Sequence, residues 1–500
     1  MTGARLYAAL AGLARAACDV AAFAVPAAVY VASVSHQPGS WDTAELQGVP
    51  YILGITHPTG FPLYVLLGYV WTHVLAIDTV AFRANVMSAI AISGVCAAAY
   101  AIARELGARR PVALAATLWF SLTQDVWSHA IRAEAQDLAV LLEALAIWAF
   151  VRWLRGTGDR WYFAAFALTG LAMAAHPNAL WVVPGLIFGS IVARRRPALR
   201  LAALSAAACA LALSLYLYLP LRSAYVVSHG LDPTMGLAGT DGGIFWNYRD
   251  PSTPHGLLLD LTGDETNVTH YLFSSFTPAH VQDALWALIT LLGTQYGAFA
   301  LVLIATGIAL AWRRDSRVTA FLFVACTAAL LFSVTYSEEG DVGRYRLLAL
   351  MLAVPAIGAI VPERARGFRA YAGAVALALF SFAGAAVSLQ ANLEFFRHSP
   401  DENGRWVINA VRPYVPPGGV ILAGWLDATS LAYGAYVDGS LPGRIVVSGA
   451  ADANRQNYPL WARTHPVFIL VNPRDVASLP NAKLVTIIDA YHALWRAEPG

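Results

Sequence analysis

The chain has 500 residues, of which 58% are hydrophobic and only 13% are charged. This balance excludes an ordinary soluble globular protein and predicts a polytopic membrane protein. The formal net charge is +2, but the 33 basic residues include a single lysine, Lys483, and the arginines form short clusters between apolar runs. Such clusters can orient a chain in a membrane.

The N-terminal segment, residues 1–34, carries Arg5 and Arg15 before a long apolar run and has no convincing small-residue cleavage site. We expect a retained first helix rather than a signal peptide, and a cytoplasmic N-terminus. All cysteines lie in apolar segments, where we expect neither a disulfide nor a metal site. They are Cys18, Cys96, Cys209 and Cys326.

The next segment, residues 35–64, is a loop of Gly, Pro and aromatic residues that contains Asp42, Glu45 and His57. Ionisable groups at a membrane surface commonly mark a site. A partly desolvated carboxylate here can act as a general base. Alternatively, D-T-A-E is a capping box, with Asp42 as N-cap and Glu45 at N3. In the turn HPTGFPLY, His57 either binds a phosphate, orients a carboxylate or only hydrogen-bonds the turn.

Apolar runs along the chain mark candidate membrane-spanning segments, which have to cross roughly 30 Å of hydrocarbon. The long runs lie at about 16–34, 84–103, 134–151, 201–220, 282–311, 318–335, 344–361 and 370–390, and shorter ones at 61–77, 111–124, 161–175 and 179–193.

The arginine clusters decide whether segment 61–77 crosses the membrane. If it does, the later clusters fall outside the membrane, against the positive-inside rule. If it lies in the interface, all five fall in the cytoplasm with about eleven spanning helices, which is our prediction. The clusters are Arg104/Arg109/Arg110, Arg152/Arg155/Arg160, Arg194/Arg195/Arg196/Arg200, Arg313/Arg314/Arg317 and Arg364/Arg366/Arg369.

This topology predicts a transmembrane domain over residues 1–391, with external loops 35–83 and 222–281, and a small extracytoplasmic α/β domain over 392–500. The C-terminal part contains strand-length apolar runs that alternate with helical candidates near 428–437 and 454–463, a pattern typical of a mostly parallel sheet. The strand candidates are VILAG (420–424), RIVVSG (444–449), VFILVN (467–472) and KLVTIID (483–489).

Charged residues at other external helix ends are further candidates for a site. Arg132 can face a phosphate and pair with Glu134 or Asp137, or it can simply anchor its helix in the interface. Arg222, in YLYLPLRSA, lies at the depth of a lipid phosphate, where snorkelling arginines are also common. We expect His176-Pro177-Asn178 to break a helix and SEEGDVGRYR, residues 337–346, to be a solvated turn.

Several motifs together resemble a known enzyme superfamily. They are D-T-A-E-L, HPTGFPLY, FRANVMSAI, the R-E-L-G-A-R-R turn, W-x-x-x-x-R-x-E-x-x-x-L, GLAMAAHPN and YLPLRSA, in that order, with a weaker match at GWLDATSLAYGAYVDG. The chain resembles the GT-C membrane glycosyltransferases, and within them a bacterial family similar to protein O-mannosyltransferases. Thr59 and the stretch 136–138 depart from that family's pattern, which affects substrate placement more than reaction class.

The resemblance implies a GT-C-like fold and transfer of a sugar from a polyprenyl-phosphate donor to an external acceptor, protein or glycan, in the cytoplasmic membrane. It implies that Asp42 is the catalytic base or orients the acceptor, that Glu45 supports it, and that His57 shapes the pocket. Arg132, with its partner Glu134, and Arg222 would bind the donor phosphate. Some GT-C members use a divalent ion, but D-T-A-E is not a D-x-D pair, so no metal or other cofactor is expected; a nucleic-acid partner is not expected either.

The motifs of nucleotide hydrolysis, α/β-hydrolase chemistry and zinc proteolysis are absent from the sequence. The main alternative is a transporter or flippase of a lipid-linked or small polar substrate, which would require ionisable residues at mid-helix and matched broken helices. A non-catalytic assembly subunit is a third possibility.

Overall fold

A computed structural model describes residues 3–263, 270, 274–336, 343–398, 403–474, 479 and 481–499. Most of these residues form helices, and a small α/β unit follows at the C-terminus. The helices up to residue 262 are α1 Gly3–Val31, α2 Trp41–Ile52, α3 Pro62–Val74, α4 Val80–Glu105, α5 Arg110–Ser121, α6 Gln124–Ala130, α7 Ala135–Leu154, α8 Arg160–Ala175, α9 Val183–Val192, α10 Leu199–Leu213, α11 Tyr218–His229 and α12 Pro254–Thr262.

The described residues from 274 to 398 also form mainly helices. Its helices are α13 Pro278–Tyr296, α14 Ala298–Arg314, α15 Ser316–Thr327, α16 Ala329–Thr335, α17 Leu347–Met351, α18 Ala353–Ile360 and α19 Phe368–His398, with 3-10 turns at Pro177–Val182, Ser214–Leu217 and Gly343–Arg346. Proline in the first turn and a threonine cap start several of them, because proline needs no backbone donor there. Thr253 and Thr277 accept from the first turns of α12 and α13 in this way.

Six helical stretches of the described residues are long and apolar enough to cross a membrane. They are Gly12–Val31, Val80–Glu105, Leu199–His229, Ser316–Thr335, Gly343–Ile360 and Phe368–Phe396. The prediction of a multi-pass membrane protein is therefore confirmed. α19 continues to His398, beyond residue 391 where we expected the domain boundary.

The segment after the acidic loop forms the short helix α3. Its 13 residues span about 20 Å, less than the roughly 30 Å of a bilayer core. α4, with 26 residues, is about 39 Å long and can span it. The interfacial placement of residues 61–77 stays a prediction.

The five arginine clusters meet at one end of the helical bundle. α4 leads from this end to the opposite one, where the backbone N–H of Ala81 donates to the Tyr433 hydroxyl of the C-terminal unit. The links between clusters are Arg104–Glu363 (2.9 Å), Arg152–Glu105 (3.4 Å), Arg195–Asp159 (3.2 Å) and a hydrogen bond from Arg314 to the Ala359 carbonyl. We call this the arginine end.

The C-terminal unit is a five-stranded sheet with helices α20 Asn403–Val411, α21 Trp425–Tyr436 and α22 Tyr458–Trp461. The strand order is β2-β1-β3-β5-β4. All four predicted strands are present, and the α/β prediction is confirmed. The strands are β1 Val420–Ala423, β2 Ile445–Ser448, β3 Val467–Val471, β4 Ala482–Ile487 and β5 Ala493–Ala497.

The prediction of a mostly parallel sheet holds for the direction of four of the five strands, and β5 is the exception. β1 pairs in parallel with β2 and β3, but β5 runs antiparallel to both β3 and β4. The sequence analysis missed β5, ALWRA, because it has no β-branched residue and follows β4 through a short turn. A hairpin of this kind adds an antiparallel edge to a parallel core.

Candidate active site

The acidic loop folds into α2, which carries both carboxylates without using either as a cap. The helix begins at Trp41 with Ser40 as the N-cap residue, and no side chain makes a capping hydrogen bond. Asp42 is thus inside the first turn rather than at the N-cap. The capping-box alternative is therefore wrong, and both carboxylates are available for other contacts.

Glu45 is fully buried and holds the His57 turn. Its Oε1 accepts from the backbone N–H of His57 at 2.8 Å, and its Oε2 lies 2.5 Å from His57 Nδ1. Burial raises the pKa of Glu45, and the adjacent His57 opposes that rise. Since a carboxylate on Nδ1 fixes the ring orientation, His57 Nε2 is directed towards Asp42.

Asp42 is the partly exposed carboxylate of the group, with 18% of its side chain accessible. Its Oδ1 accepts from the indole N–H of Trp425 at 2.8 Å. Its Oδ2 lies 3.5 Å from Arg344 Nη1 and 3.9 Å from His57 Nε2. Burial alone would raise the pKa of Asp42, but His57, Arg344 and the Trp425 bond outweigh it and hold the pKa below its ordinary value. Asp42 is therefore ionised at neutral pH.

Glu134 joins two arginines beside Asp42. Its Oε1 lies 3.3 Å from Arg132 Nε, and its Oε2 lies 3.4 Å from Arg344 Nη1. Arg344 is 8% exposed, whereas 31% of the Arg132 side chain is accessible. Arg344 thus lies between the carboxylates of Asp42 and Glu134, and Glu134 links it to Arg132. Guanidinium groups near a carboxylate are the charge pattern that an anionic phosphate and a proton acceptor require.

Arg222 lies at the end of α2 instead. Its guanidinium donates to the carbonyls of Leu53, at 2.5 Å, and Ile52, at 3.2 Å, and stacks over Tyr225 at 5.0 Å. The structure thus brings together Asp42, Glu45, His57, Arg132 and Glu134, whereas Arg222 closes the C-terminus of α2. Its proposed contact with a phosphate stays a prediction.

The sequence analysis missed Arg344 and Trp425. We expected residues 337–346 to be a solvated turn, and that is wrong for Arg344, which is buried between Asp42 and Glu134. Residues 337–342 of that segment lie outside the described residues. The only available signal was an arginine immediately before a long apolar run. For Trp425 the signal was its position in GWLDATSLAYGAYVDG, the weaker of the matches to the GT-C family.

His176 and Asp260 border the same site. The ring of His176 caps the 3-10 turn after α8 and stacks on Phe61 at 5.0 Å. Burial lowers the pKa of His176 to about 3, so it is neutral. Asp260 of α12 is fully buried, and neither of its carboxylate oxygens has a hydrogen-bond partner among the described residues. Burial raises the pKa of Asp260 to about 8.

The turn between α2 and α3 brings Asp260 close to the His57 segment. Gly60 has φ +79°, and a Cβ at this position would lie 2.6 Å from a Leu219 methyl and 3.0 Å from Asp260 Oδ2. A side chain is therefore excluded here by both backbone conformation and space. The predicted rigid turn is confirmed, since α3 begins at Pro62.

The described residues contain no group of three or more His, Cys, Asp or Glu side chains arranged to hold a metal ion. Asp42 Oδ1 is taken by Trp425, and both oxygens of Glu45 are taken by His57. With these oxygens already in hydrogen bonds, the two carboxylates do not fit the divalent ion that some GT-C enzymes use.

Comparison with known proteins identifies the fold. The structure of ArnT from Cupriavidus metallidurans in the apo state aligns with 98% of this chain and 100% of its own, at a TM-score of 0.58 and 14% identity. The chain has the GT-C fold. ArnT bound to undecaprenyl phosphate aligns similarly, with a TM-score of 0.57, 13% identity and coverage of 96% and 99%.

A third solved structure is the archaeal oligosaccharyltransferase AglB from Archaeoglobus fulgidus in complex with an inhibitory peptide and a dolichol-phosphate. It aligns at a TM-score of 0.53 and 12% identity, over 90% of this chain and 69% of its own. At such identities the likeness shows the fold alone. The predicted GT-C architecture with a small C-terminal α/β unit is thereby confirmed.

Sequence similarity covers the N-terminal part of the GT-C fold. Residues 42–199 match a family model described as the protein O-mannosyl-transferase TMEM260 N-terminal domain. The mouse protein O-mannosyl-transferase TMEM260 is 30% identical over 145 residues, which is 28% of this chain and a fifth (20%) of the mouse protein. The predicted resemblance to O-mannosyltransferases is confirmed; the bacterial origin is not tested. Asp42, Glu45, His57, Arg132 and Glu134 all fall inside the matched range.

Proposed function

We propose that this protein transfers a hexose from a polyprenyl-phosphate donor to a hydroxyl group of an acceptor. The observation that carries the proposal is the Asp42 carboxylate, which is ionised, partly accessible and adjacent to Arg344, which Glu134 links to Arg132. The fold is shared with ArnT bound to undecaprenyl phosphate and AglB bound to dolichol-phosphate. Those lipid phosphates indicate the donor class.

The proposed reaction is a single displacement with inversion at the anomeric carbon. Asp42 Oδ2 takes the proton from the acceptor hydroxyl, and the oxygen of that hydroxyl forms a bond to the anomeric carbon. The bond from that carbon to the phosphate oxygen breaks, and the electron pair leaves with the polyprenyl phosphate. Arg132 and Arg344 stabilise the departing anion, and Glu134 keeps both guanidinium groups in place.

Glu45 and His57 support this base rather than react themselves. The buried Glu45 fixes the ring of His57, which directs Nε2 at Asp42 and helps keep it ionised. Arg222 of α11 is a second candidate for binding the donor phosphate. It donates to the Leu53 carbonyl at the C-terminus of α2, the helix that carries Asp42.

The acceptor we propose first is a Ser or Thr hydroxyl of a protein, because the mouse relative is a protein O-mannosyl-transferase. A glycan acceptor is the second candidate. The proposed location is the cytoplasmic membrane, with the Asp42 site and the C-terminal unit outside and the arginine end inside. The positive-inside rule supports this orientation, since all five clusters lie at the end opposite to Asp42.

One observation favours the transporter alternative. Glu143 lies in the middle of α7, is 2% exposed, and its Oε2 lacks a hydrogen-bond partner among the described residues. An ionisable residue at such a position can mark a transport pathway. The experiment therefore has to distinguish transfer from translocation.

The test uses purified protein in proteoliposomes with radiolabelled polyprenyl-phosphate mannose and a Ser/Thr-rich peptide pool. We expect label in the peptides, with the β-configured donor giving an α-linked product. Movement of the labelled lipid between leaflets without any labelled product would instead support the transporter. If a panel of other polyprenyl-phosphate hexoses and glycan acceptors also gives no product, the proposed function is wrong.

A further inference from the structure

The C-terminal unit docks on the acidic loop through α21. The Ser430 hydroxyl donates to the Gly39 carbonyl at 2.9 Å, and the Tyr433 hydroxyl accepts from Ala81 N–H at 2.9 Å. Arg405 of α20 adds a bond to Gln37 at 2.8 Å. These contacts join the unit to residues before and after α2, so α2 lies against it along much of its length.

Close packing shows that the docking is specific. A Cβ on Gly48 of α2 would lie 2.9 Å from a Val437 methyl, 3.2 Å from the Tyr433 ring and 2.4 Å from the Phe245 ring. The buried residues of this region form one hydrophobic cluster that contains Val49 of α2 together with Leu431 and Ala432 of α21. Burial of such a cluster stabilises the docked arrangement independently of any single hydrogen bond.

Trp425, at the first position of α21, reaches the site itself. Its indole N–H donates to Asp42 Oδ1 at 2.8 Å. Its ring packs edge-on against His57 at 5.7 Å and against Tyr248 at 5.7 Å. The other two neighbours of Asp42, His57 and Arg344, approach the opposite oxygen, Oδ2.

We propose that the C-terminal unit completes the active site, with Trp425 as a positioning residue for Asp42. The indole N–H binds Oδ1 and fixes the carboxylate plane, so Oδ2 is the oxygen that receives the acceptor's proton. The sugar transfer proposed above is the reaction on which this inference rests. An indole suits the task because it donates one hydrogen bond, cannot take a proton in return and excludes water with its ring.

The bond also has an electrostatic consequence. A donor to the ionised form of a carboxyl group lowers its pKa, and the Trp425 bond acts on Asp42 in this direction. Removing it raises the pKa of Asp42. If Trp425 only docked the unit, loss of another docking contact on α21 would raise the pKa of Asp42 equally.

The decisive variant is Trp425→Phe, which keeps an aromatic ring but removes the donor. We expect kcat to fall by about 10-fold with little change in KM for the lipid donor, since a hydrogen bond to a charged group is worth ~1.5–3 kcal/mol. The acid limb of the kcat/KM profile moves to higher pH by about one unit. Trp425→His, which retains an N–H donor, recovers part of the loss.

A second readout does not depend on turnover. Carbodiimide reacts with protonated carboxyl groups, so the pH midpoint of Asp42 labelling, followed by mass spectrometry, reports its pKa. We expect this midpoint to rise in Trp425→Phe. Two controls keep the wild-type midpoint. Tyr433→Phe alters the docking contact on the same helix, and Trp406→Phe alters an indole that is 44% exposed in the same unit.

The outcomes separate the two proposals. An unchanged kcat and an unchanged labelling midpoint in Trp425→Phe overturn the positioning role, even when the wild type transfers sugar. An equal change in Tyr433→Phe also overturns it, because docking alone would then account for the effect. A wild type that transfers no sugar refutes the proposed function, while the labelling midpoint still reports whether Trp425 acts on Asp42.

Discussion

The described ion pairs at the two ends of the helical bundle differ in their exposure. At the arginine end they range from Arg152–Glu105, whose side chains are 28% and 24% accessible, to Arg195–Asp159, whose side chains are 80% and 43% accessible. At the Asp42 end the partners are enclosed, with Arg344 at 10%, Glu134 at 5% and Glu45 at 0%. Exposed pairs contribute ~0–1 kcal/mol, whereas breaking a buried pair leaves an uncompensated charge. We propose that charge at the arginine end orients the chain and that charge at the Asp42 end forms the active site.

The largest effect is expected from Arg344→Ala. It leaves the partly exposed Asp42 and the buried Glu134 without their shared cation. We expect a loss of about 3–5 kcal/mol in stability and a fall in transfer of at least ~100-fold. Thermal unfolding in detergent and the transfer assay measure the two losses.

The matched change at the other end is Arg195→Ala. Its exposed ion pair predicts a stability change below about 1 kcal/mol and unaltered transfer. Equal losses in Arg195→Ala and Arg344→Ala would remove the contrast between the two ends.

A smaller effect is expected at Asp260, next to the site. Its pKa of about 8 in the folded protein lies above the ordinary value of 3.8. The folded state therefore keeps a proton that the unfolded chain releases, and stability falls as pH rises between these values. Asp260→Asn has no carboxyl group to titrate at this position, so this fall disappears. The melting temperature of the variant therefore exceeds that of the wild type by more at pH 8 than at pH 5. A constant difference across that pH range would contradict the assignment.

The orientation of the two ends can be tested without any effect on activity. In a background lacking the four native cysteines, Asp241→Cys and Thr157→Cys place exposed thiols in the loop 222–281 and at the arginine end. We expect a membrane-impermeant maleimide to label position 241 in intact cells and position 157 only after permeabilisation. The reverse pattern would invert the proposed topology.

Local patterns in the sequence predicted the elements that depend on local chemistry. Hydropathy and proline positions gave the bundle, the short α3 and the turn at His57, and β-branched runs gave four of the five strands. β5 escaped because ALWRA lacks such a run. The capping box failed because helix α2 starts one residue before Asp42.

The site itself depends on contacts that no local pattern contains. Arg344 meets Glu134 across 210 residues of sequence, and Trp425 meets Asp42 across 383. An arginine before an apolar run and a lone indole have many structural uses, so only the fold shows what they contact. The carboxylates and His57 were identifiable because three ionisable residues lie in one short loop directly after an apolar segment, and ionisable groups at a membrane surface commonly mark a site.

The most direct test of the central claim compares Asp42→Asn with Asp241→Asn in the transfer assay at neutral pH. Asp42→Asn keeps the shape of the side chain but cannot accept the proton, whereas Asp241 is 78% accessible and lies outside the site. The account predicts a loss of at least ~100-fold in kcat for Asp42→Asn and wild-type transfer for Asp241→Asn. Transfer by Asp42→Asn at the wild-type rate would contradict it.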